Sequence, residues 1–216
     1  MMATKLSEMG AADMRAAMID SQLRTNDVID PAVVGAMGAV AREAHVPAAL
    51  AGVAYMDRAI DLGGRAFTPP LVTGRLLVAA DVRAGQRVLL IGAATGYTAA
   101  LLARLGAEVH AVEEAADLLA AARAATPGAT IHWTDGPLAA GAPKAAPFDR
   151  IVIDGAIEIL PDELAEGGRI VAAQRDGSVT RLVQGVKTGG AVALRSFADM
   201  DVAPLPGFAA PTSFRF

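Results

Sequence analysis

The stretch RVLLIGAATGY, residues 87–97, runs an apolar segment into a turn with glycines at 92 and 96. Such a turn at the carboxyl end of a buried strand lets backbone approach a ligand closely. A dinucleotide fingerprint needs glycines at the first, third and sixth positions, but the third is Ala94 and the sixth Tyr97. NAD and FAD are therefore disfavoured, and the lack of a following lysine excludes a P-loop. A ligand without phosphates fits better. S-adenosylmethionine asks for a close turn, an acid for its ribose diol and an acceptor for its adenine amino group. Gly92, Ala93, Ala94, Thr95, Gly96 and Tyr97 form the turn, and Glu113, 21 residues after Gly92, stands where an acid accepts from both ribose hydroxyls. Asp135, followed by Gly136 in HWTDGPL, is placed for the adenine amino group. One acid at a strand end is as readily a solvated charge, but three features after three successive strands point to one site.

Methyl transfer from a sulfonium to a carboxylate needs no general base, because a carboxylate of ordinary pKa, about 4, is ionised at neutral pH. The protein's work is to align the oxygen with the methyl and exclude water. His45, His110 and His132 thus need no catalytic role, and the last two, at strand positions, are expected to be structural.

These residues need a scaffold, and the alternation of patterns supplies one. Short apolar strands are expected at 87–92, 108–113, 130–134, 150–154 and 169–173, with helices at 97–105 and 115–125 and a short one near 161–165. Strands separated by helices indicate an α/β fold with a doubly wound, mostly parallel Rossmann-like sheet. SVTRLVQGVKTGGAVALRSF reads as an antiparallel hairpin turning at Gly189 and Gly190, added at the sheet edge. Ahead of the sheet lie two amphipathic helices, the second capped by Asp30 with Pro31 in its first turn, and a helix over about 71–80. The irregular segment between them is longer than a connector needs to be. A single domain is expected over 1–216: N-terminal helices and substrate loop to 80, cofactor-binding core over 81–175, edge hairpin and tail over 176–216.

Composition narrows the partners. Nineteen Lys and Arg against 23 Asp and Glu give a net charge of -4, a poor basis for holding nucleic acid. With no cysteine, there is neither a disulfide framework nor a thiolate nucleophile or ligand, and no metal is expected. No apolar run reaches the length of a membrane span, so a cytoplasmic protein is expected, of undetermined oligomeric state.

The chain resembles the protein L-isoaspartate O-methyltransferase family of class I methyltransferases. AAMIDSQLR, AYMDRAIDLG, RVLLIGAATGY, AVEE, TDGPLAAG, APFDRIVIDGA, EGGRIV and VAPLPG follow in the family's order. The resemblance implies S-adenosylmethionine as cofactor and, as substrate, isoaspartyl-containing proteins or peptides, whose damaged residue is esterified. It also marks departures. The family has an acid at Leu90 and a glycine at Ala94; if position 94 is left-handed, alanine there costs about 1–2 kcal/mol. Thr68 matches the substrate-loop serine whose hydroxyl orients the attacking carboxylate, in a loop one residue shorter. Thr68 could equally cap a helix beginning at Pro69, and both roles can hold. The family's glutamine and threonine become Arg65 and Ala66; Arg65 either attracts a carboxylate or sits on the surface. Asp57 is expected to brace the loop, with Arg58 as a possible partner. Asp154, Gly155 and Ala156 border the methyl-transfer region, where the family commonly has threonines. The departures leave two alternatives open: a non-catalytic interaction module that keeps the fold, or a methyltransferase for another carboxylate or a small acceptor. Phe208, Phe214 and Phe216 are expected to dock the tail.

Overall fold

The structure is a computed structural model that describes residues 10–160 and 168–210. Its frame is a seven-stranded sheet in the order β5-β4-β3-β6-β7-β8-β9. The strands are β3 (Arg87–Ile91), β4 (Glu108–Glu113), β5 (Ile131–Asp135), β6 (Arg150–Ile157), β7 (Arg169–Asp176), β8 (Val179–Thr188) and β9 (Ala191–Asp199). The first five are parallel to their neighbours, and β7-β8-β9 continue antiparallel. A small separate hairpin, β1 (Ile60–Asp61) with β2 (Ala66–Phe67), precedes the sheet.

The parallel strands are apolar on both sides because both faces are covered. In β3, Val88 and Leu90 face a layer that includes Met18, Met37, Leu77 and Leu101. Leu89 and Ile91 face the opposite layer with Leu138, Phe148, Ile170 and Phe208. Leu90, where the resemblance leads to the expectation of an acid, is fully buried.

The helices are α1 (Ala11–Met18), α2 (Pro31–Ala39), α3 (Pro70–Ala80), α4 (Tyr97–Arg104) and α5 (Ala116–Ala125). Helix α1 runs on through a π-turn at Ile19–Leu23 and a 3₁₀ turn at Arg24–Asn26. Asp30 caps α2, accepting from the amides of Ala32 at 2.9 Å and Val33 at 3.0 Å. Helix α3 begins at Pro70 with Pro69 in the N-cap position, which makes no side-chain cap bond, and this removes the capping role considered for Thr68. Asp57 serves that end instead: its Oδ1 accepts from the amide of Leu71 at 3.1 Å, bracing the loop without Arg58.

The C-terminal part differs from a single added hairpin. Strand β7 runs on to Asp176 and turns at Gly177 into β8, so two successive hairpins extend the sheet. Phe208 is buried against the body; Phe214, Phe216 and the expected helix near 161–165 lie outside the described residues. Among the described residues no helix is long and apolar enough to cross a membrane.

Candidate functional site

Strand β3 has β4 on one side and β6 on the other, so the chain order reverses beside it. In an open α/β sheet this switch point opens the crevice where ligands bind. Ile91 is in register with Ile153, and the turn from Gly92 therefore leaves the sheet beside Asp154 and Gly155.

The turn is held by its own amides. Gly92 and Ala93 both donate to the carbonyl of Val112, each at 3.1 Å, and Gly96 donates to that of Ala93 at 2.8 Å. Gly96 has φ 86°, and a Cβ there would lie 3.0 Å from that of Ala122 and 3.2 Å from the Trp133 ring; glycine lets α4 start close to α5 and β5. Ala94 takes φ 46°, the left-handed region expected to cost alanine about 1–2 kcal/mol. Its amide donates to Glu113 Oε2 at 2.7 Å, a charge-assisted bond that offsets this strain.

Glu113 ends β4 fully buried. Its Oε1 accepts from Arg65 Nη1 at 2.8 Å and from the amides of Glu114 and Ala115, each at 3.1 Å. With Ala94 on the other oxygen, both oxygens of the carboxylate are engaged within the protein. Arg65 is 8% exposed, which overturns the surface reading of this residue. It does bind a carboxylate, and the carboxylate is the chain's own.

The opposite wall is built by the segment after β9. Ala156 donates to the carbonyl of Ala203 and Leu205 donates to that of Ala156, both at 2.8 Å, pairing residues 203–205 with the end of β6. This strap lays Leu205 over two glycines. A Cβ built on Gly155 would lie 2.4 Å from Leu205 Cγ, and one on Gly92 would lie 3.0 Å from Leu205 Cδ2 and 3.1 Å from Arg65 Nη2. Arg65, Thr68, Asp154, Gly155 and Leu205 together line a cavity of only about 10 Å³, room for about one water. Asp154 Oδ2 accepts from the Thr98 hydroxyl at 2.5 Å, while its buried Oδ1 has no partner.

Asp135 ends β5 in register with Glu113 and is exposed, and the amide of Gly136 donates to the Glu113 carbonyl at 3.3 Å. Two turn side chains point elsewhere. The Thr95 hydroxyl donates to the carbonyl of His45 at 2.6 Å, and His45 Nδ1 donates to the carbonyl of Thr95 at 2.7 Å. Tyr97 is buried edge-on to His45 and Phe67. These side chains fasten the turn to the N-terminal segment.

Arg42 escaped sequence reasoning. It is wholly buried and donates to the carbonyls of Ala54 at 2.6 Å and Thr68 at 2.5 Å. Its guanidinium lies 4.0 Å from the Phe67 ring centre and 4.8 Å from that of Tyr97. Burial lowers its pKa from the ordinary value while nearby Tyr97 and Asp154 oppose that fall. No periodicity marks a lone arginine in an irregular segment; the aromatic positions around it were the one available signal. His110 and His132 stack with ring centres 4.6 Å apart across β4 and β5. Glu108 completes a triad with them, but Arg87 lies 3.2 Å from Glu108 and 3.5 Å from His110 Nε2, supplying the positive charge there. A wider groove of about 650 Å³ lies along His45, Ala100, Arg104 and Thr126 and contains none of the expected acids.

A nucleoside diol needs the acceptors of Glu113, and the rest of the ligand needs the space over Gly92 and Gly155. Arg65 holds Glu113 Oε1 and, with Leu205, fills the space over Gly92, so an adenosyl ligand does not enter while these two side chains stay in place.

Comparison with known proteins supplies the family context. A model of the family described as protein-L-isoaspartate(D-aspartate) O-methyltransferase matches residues 14–206. A protein-L-isoaspartate O-methyltransferase of Methylorubrum populi is 42% identical over 164 residues, covering 73% of this chain and 77% of that protein. One from Rhodopseudomonas palustris is 35% identical over 206 residues, covering 91% and 84%. Among solved structures, a protein-L-isoaspartate O-methyltransferase superposes with TM-score 0.76 at 18% identity, covering 92% of this chain and 66%, just under two thirds, of that one. A Plasmodium falciparum structure of that description, in complex with S-adenosyl-L-homocysteine, gives TM-score 0.76 at 16% identity, covering 92% and 99%. At these identities the two structures speak to the fold.

Proposed function

The chain belongs to the protein-L-isoaspartate O-methyltransferase family, and from that membership we propose that it methylates the carboxylate of isoaspartyl residues in damaged proteins. S-adenosylmethionine is the methyl donor in this reading, and the cytosol its compartment. The observation that carries it is the meeting of Thr68, from the loop ahead of α3, with Asp154 and Gly155 at the β3/β6 switch point, in one cavity.

What the chain's own residues do follows from their chemistry. The acceptor carboxylate arrives ionised, so no residue has to remove a proton. Thr68 supplies a hydroxyl that donates to one acceptor oxygen and fixes the aim of the other, and Arg42 holds Thr68 in place through its carbonyl. Asp154 is anionic and shares the cavity, so an acceptor carboxylate meets repulsion there. Arg65 lines the same cavity but is paired with Glu113, so it offsets that repulsion only once that pair opens. Buried apolar side chains such as Phe67, next to Thr68, help exclude water. The deciding assay is tritiated methyl transfer to an isoaspartyl peptide and to its aspartyl twin; equal labelling of the two, or labelling of neither, overturns the reading.

A second reading, a methyltransferase fold kept as a non-catalytic interaction module, is favoured by one observation: Glu113 is closed off by Arg65.

A further inference from the structure

The family fold places a ligand over the turn after β3, yet in this chain that space holds two of its own side chains. Each is fixed by a separate device. Leu205 is carried on the strap 203–205, which pairs with Ala156 by two backbone bonds. It descends because residue 155 is glycine: with the nearest Leu205 atom 2.4 Å from a Cβ built there, any side chain at 155 would push it away. Arg65 is carried on the β1–β2 hairpin, closed by the Leu62 amide on the Arg65 carbonyl at 2.7 Å and by Asp61 Oδ1 accepting from the amides of Gly63 and Gly64. The Arg65 guanidinium reaches Glu113 with both side chains almost wholly out of water, 7% and 0% exposed. Nη2 of the same guanidinium lies over Gly92, next to Leu205. The two plugs therefore meet above one glycine, one neutralising the acid and the other filling the apolar space.

We propose that Arg65 and Leu205 form an intramolecular plug in the cofactor seat, so that an adenosyl ligand binds only after the 60–67 hairpin and the 203–205 strap move off the switch point. The inference rests on the methyltransferase reading and adds to it that this chain rests shut. When the binding-competent form is a minority, apparent affinity falls by its fraction. Loosening either plug raises that fraction, so side chains that never touch the ligand in the shut form govern how tightly it binds.

The test is calorimetric titration of the full chain with S-adenosylhomocysteine, in the wild type, in Arg65→Gln, in Leu205→Ala and in the double variant, each checked for a cooperative thermal transition. The expected result is that each single variant binds at least about tenfold more tightly than the wild type and the double variant more tightly still. A second readout is amide hydrogen exchange on the wild type. Saturating S-adenosylhomocysteine should speed exchange at Ala156 and Leu205, whose amides bond across the strap and the end of β6, whereas a ligand entering an open seat slows exchange around it. Variants within twofold of the wild type, slowed exchange at those amides, or no binding by any folded variant would each overturn the plug. The functional reading fails separately: variants that bind S-adenosylhomocysteine tightly but methylate no isoaspartyl peptide leave the plug standing and remove the acceptor.

Discussion

Arg65 Nη1 and Glu113 Oε1 meet at 2.8 Å across 48 residues of sequence, almost wholly out of water. Removing one partner of such a pair leaves a buried charge without its counterion, at a cost of about 3–5 kcal/mol, whereas replacing both is often near neutral. Three backbone amides also bond Glu113, so the carboxylate keeps partners when the guanidinium goes, but the guanidinium has none to spare. Glu113→Gln should therefore destabilise more than Arg65→Met. The double variant should cost less than the sum of the two, with a coupling of about 1–3 kcal/mol in urea unfolding. Strictly additive effects would show that the pair contributes no interaction of its own.

Thr68→Val keeps the volume of the side chain and deletes its hydroxyl. The position is 7% exposed and its carbonyl remains on Arg42, so the fold should be unaffected. Methyl transfer to an isoaspartyl peptide should slow by about tenfold to a hundredfold, about 1.4–2.7 kcal/mol in the barrier, with affinity for S-adenosylhomocysteine unchanged. A fall in that affinity instead would assign the hydroxyl to the cofactor side.

Arg42→Met retains a long apolar stem but strands two buried carbonyls, those of Ala54 and Thr68. Each lost buried partner costs about 1–3 kcal/mol, and the stacking on Phe67 and Tyr97 adds about 1–2 kcal/mol. The expected loss is about 3–5 kcal/mol in urea unfolding, accompanied by faster proteolysis of the loop ahead of α3. A loss below about 1 kcal/mol would mean that water replaces the guanidinium on both carbonyls.

The parallel sheet was legible because its strands are short apolar runs buried on both faces, as Val88–Ile91 shows. The turn was legible because glycines at 92 and 96 sit where backbone must fold left-handed. The left-handed backbone at Ala94 is one that the family resemblance raises as a condition, through the glycine it implies there, and local spacing alone does not give it. What was not legible arises from contacts between distant, irregular segments. Nothing in local spacing brings Arg65 to Glu113, and nothing marks Leu205 as the side chain above Gly92 and Gly155. That placement depends on the strap at 203–205 pairing with β6, which follows a break in register between Val152 and Ala156. Arg42 was missed because a buried charge stacked on rings leaves no periodic trace.

His45 gives the molecule a pH dependence whose sign is fixed by its burial. Burial, with the charge of Arg42 added, lowers its pKa from 6.5, against the opposing carbonyl of Thr95. The folded ring therefore stays neutral, with the proton on Nδ1 bonded to Thr95. Below pH 6.5 the unfolded chain takes up a proton that the folded chain refuses, and stability falls as pH drops. The contribution is complete above 6.5 and is lost as the pH moves from there towards the lower folded pKa. His45→Asn keeps a donor for the Thr95 carbonyl but cannot titrate. Between about pH 7.5 and about pH 5.5 the wild type should lose up to about 1.4 kcal/mol more stability per pH unit than the variant, seen in urea unfolding at each pH. Glu43, whose pKa lies below its usual 4.5, titrates outside that window. Parallel curves for the two proteins would mean that His45 takes up its proton as readily folded as unfolded, and that the turn at Thr95 is not held by a neutral ring.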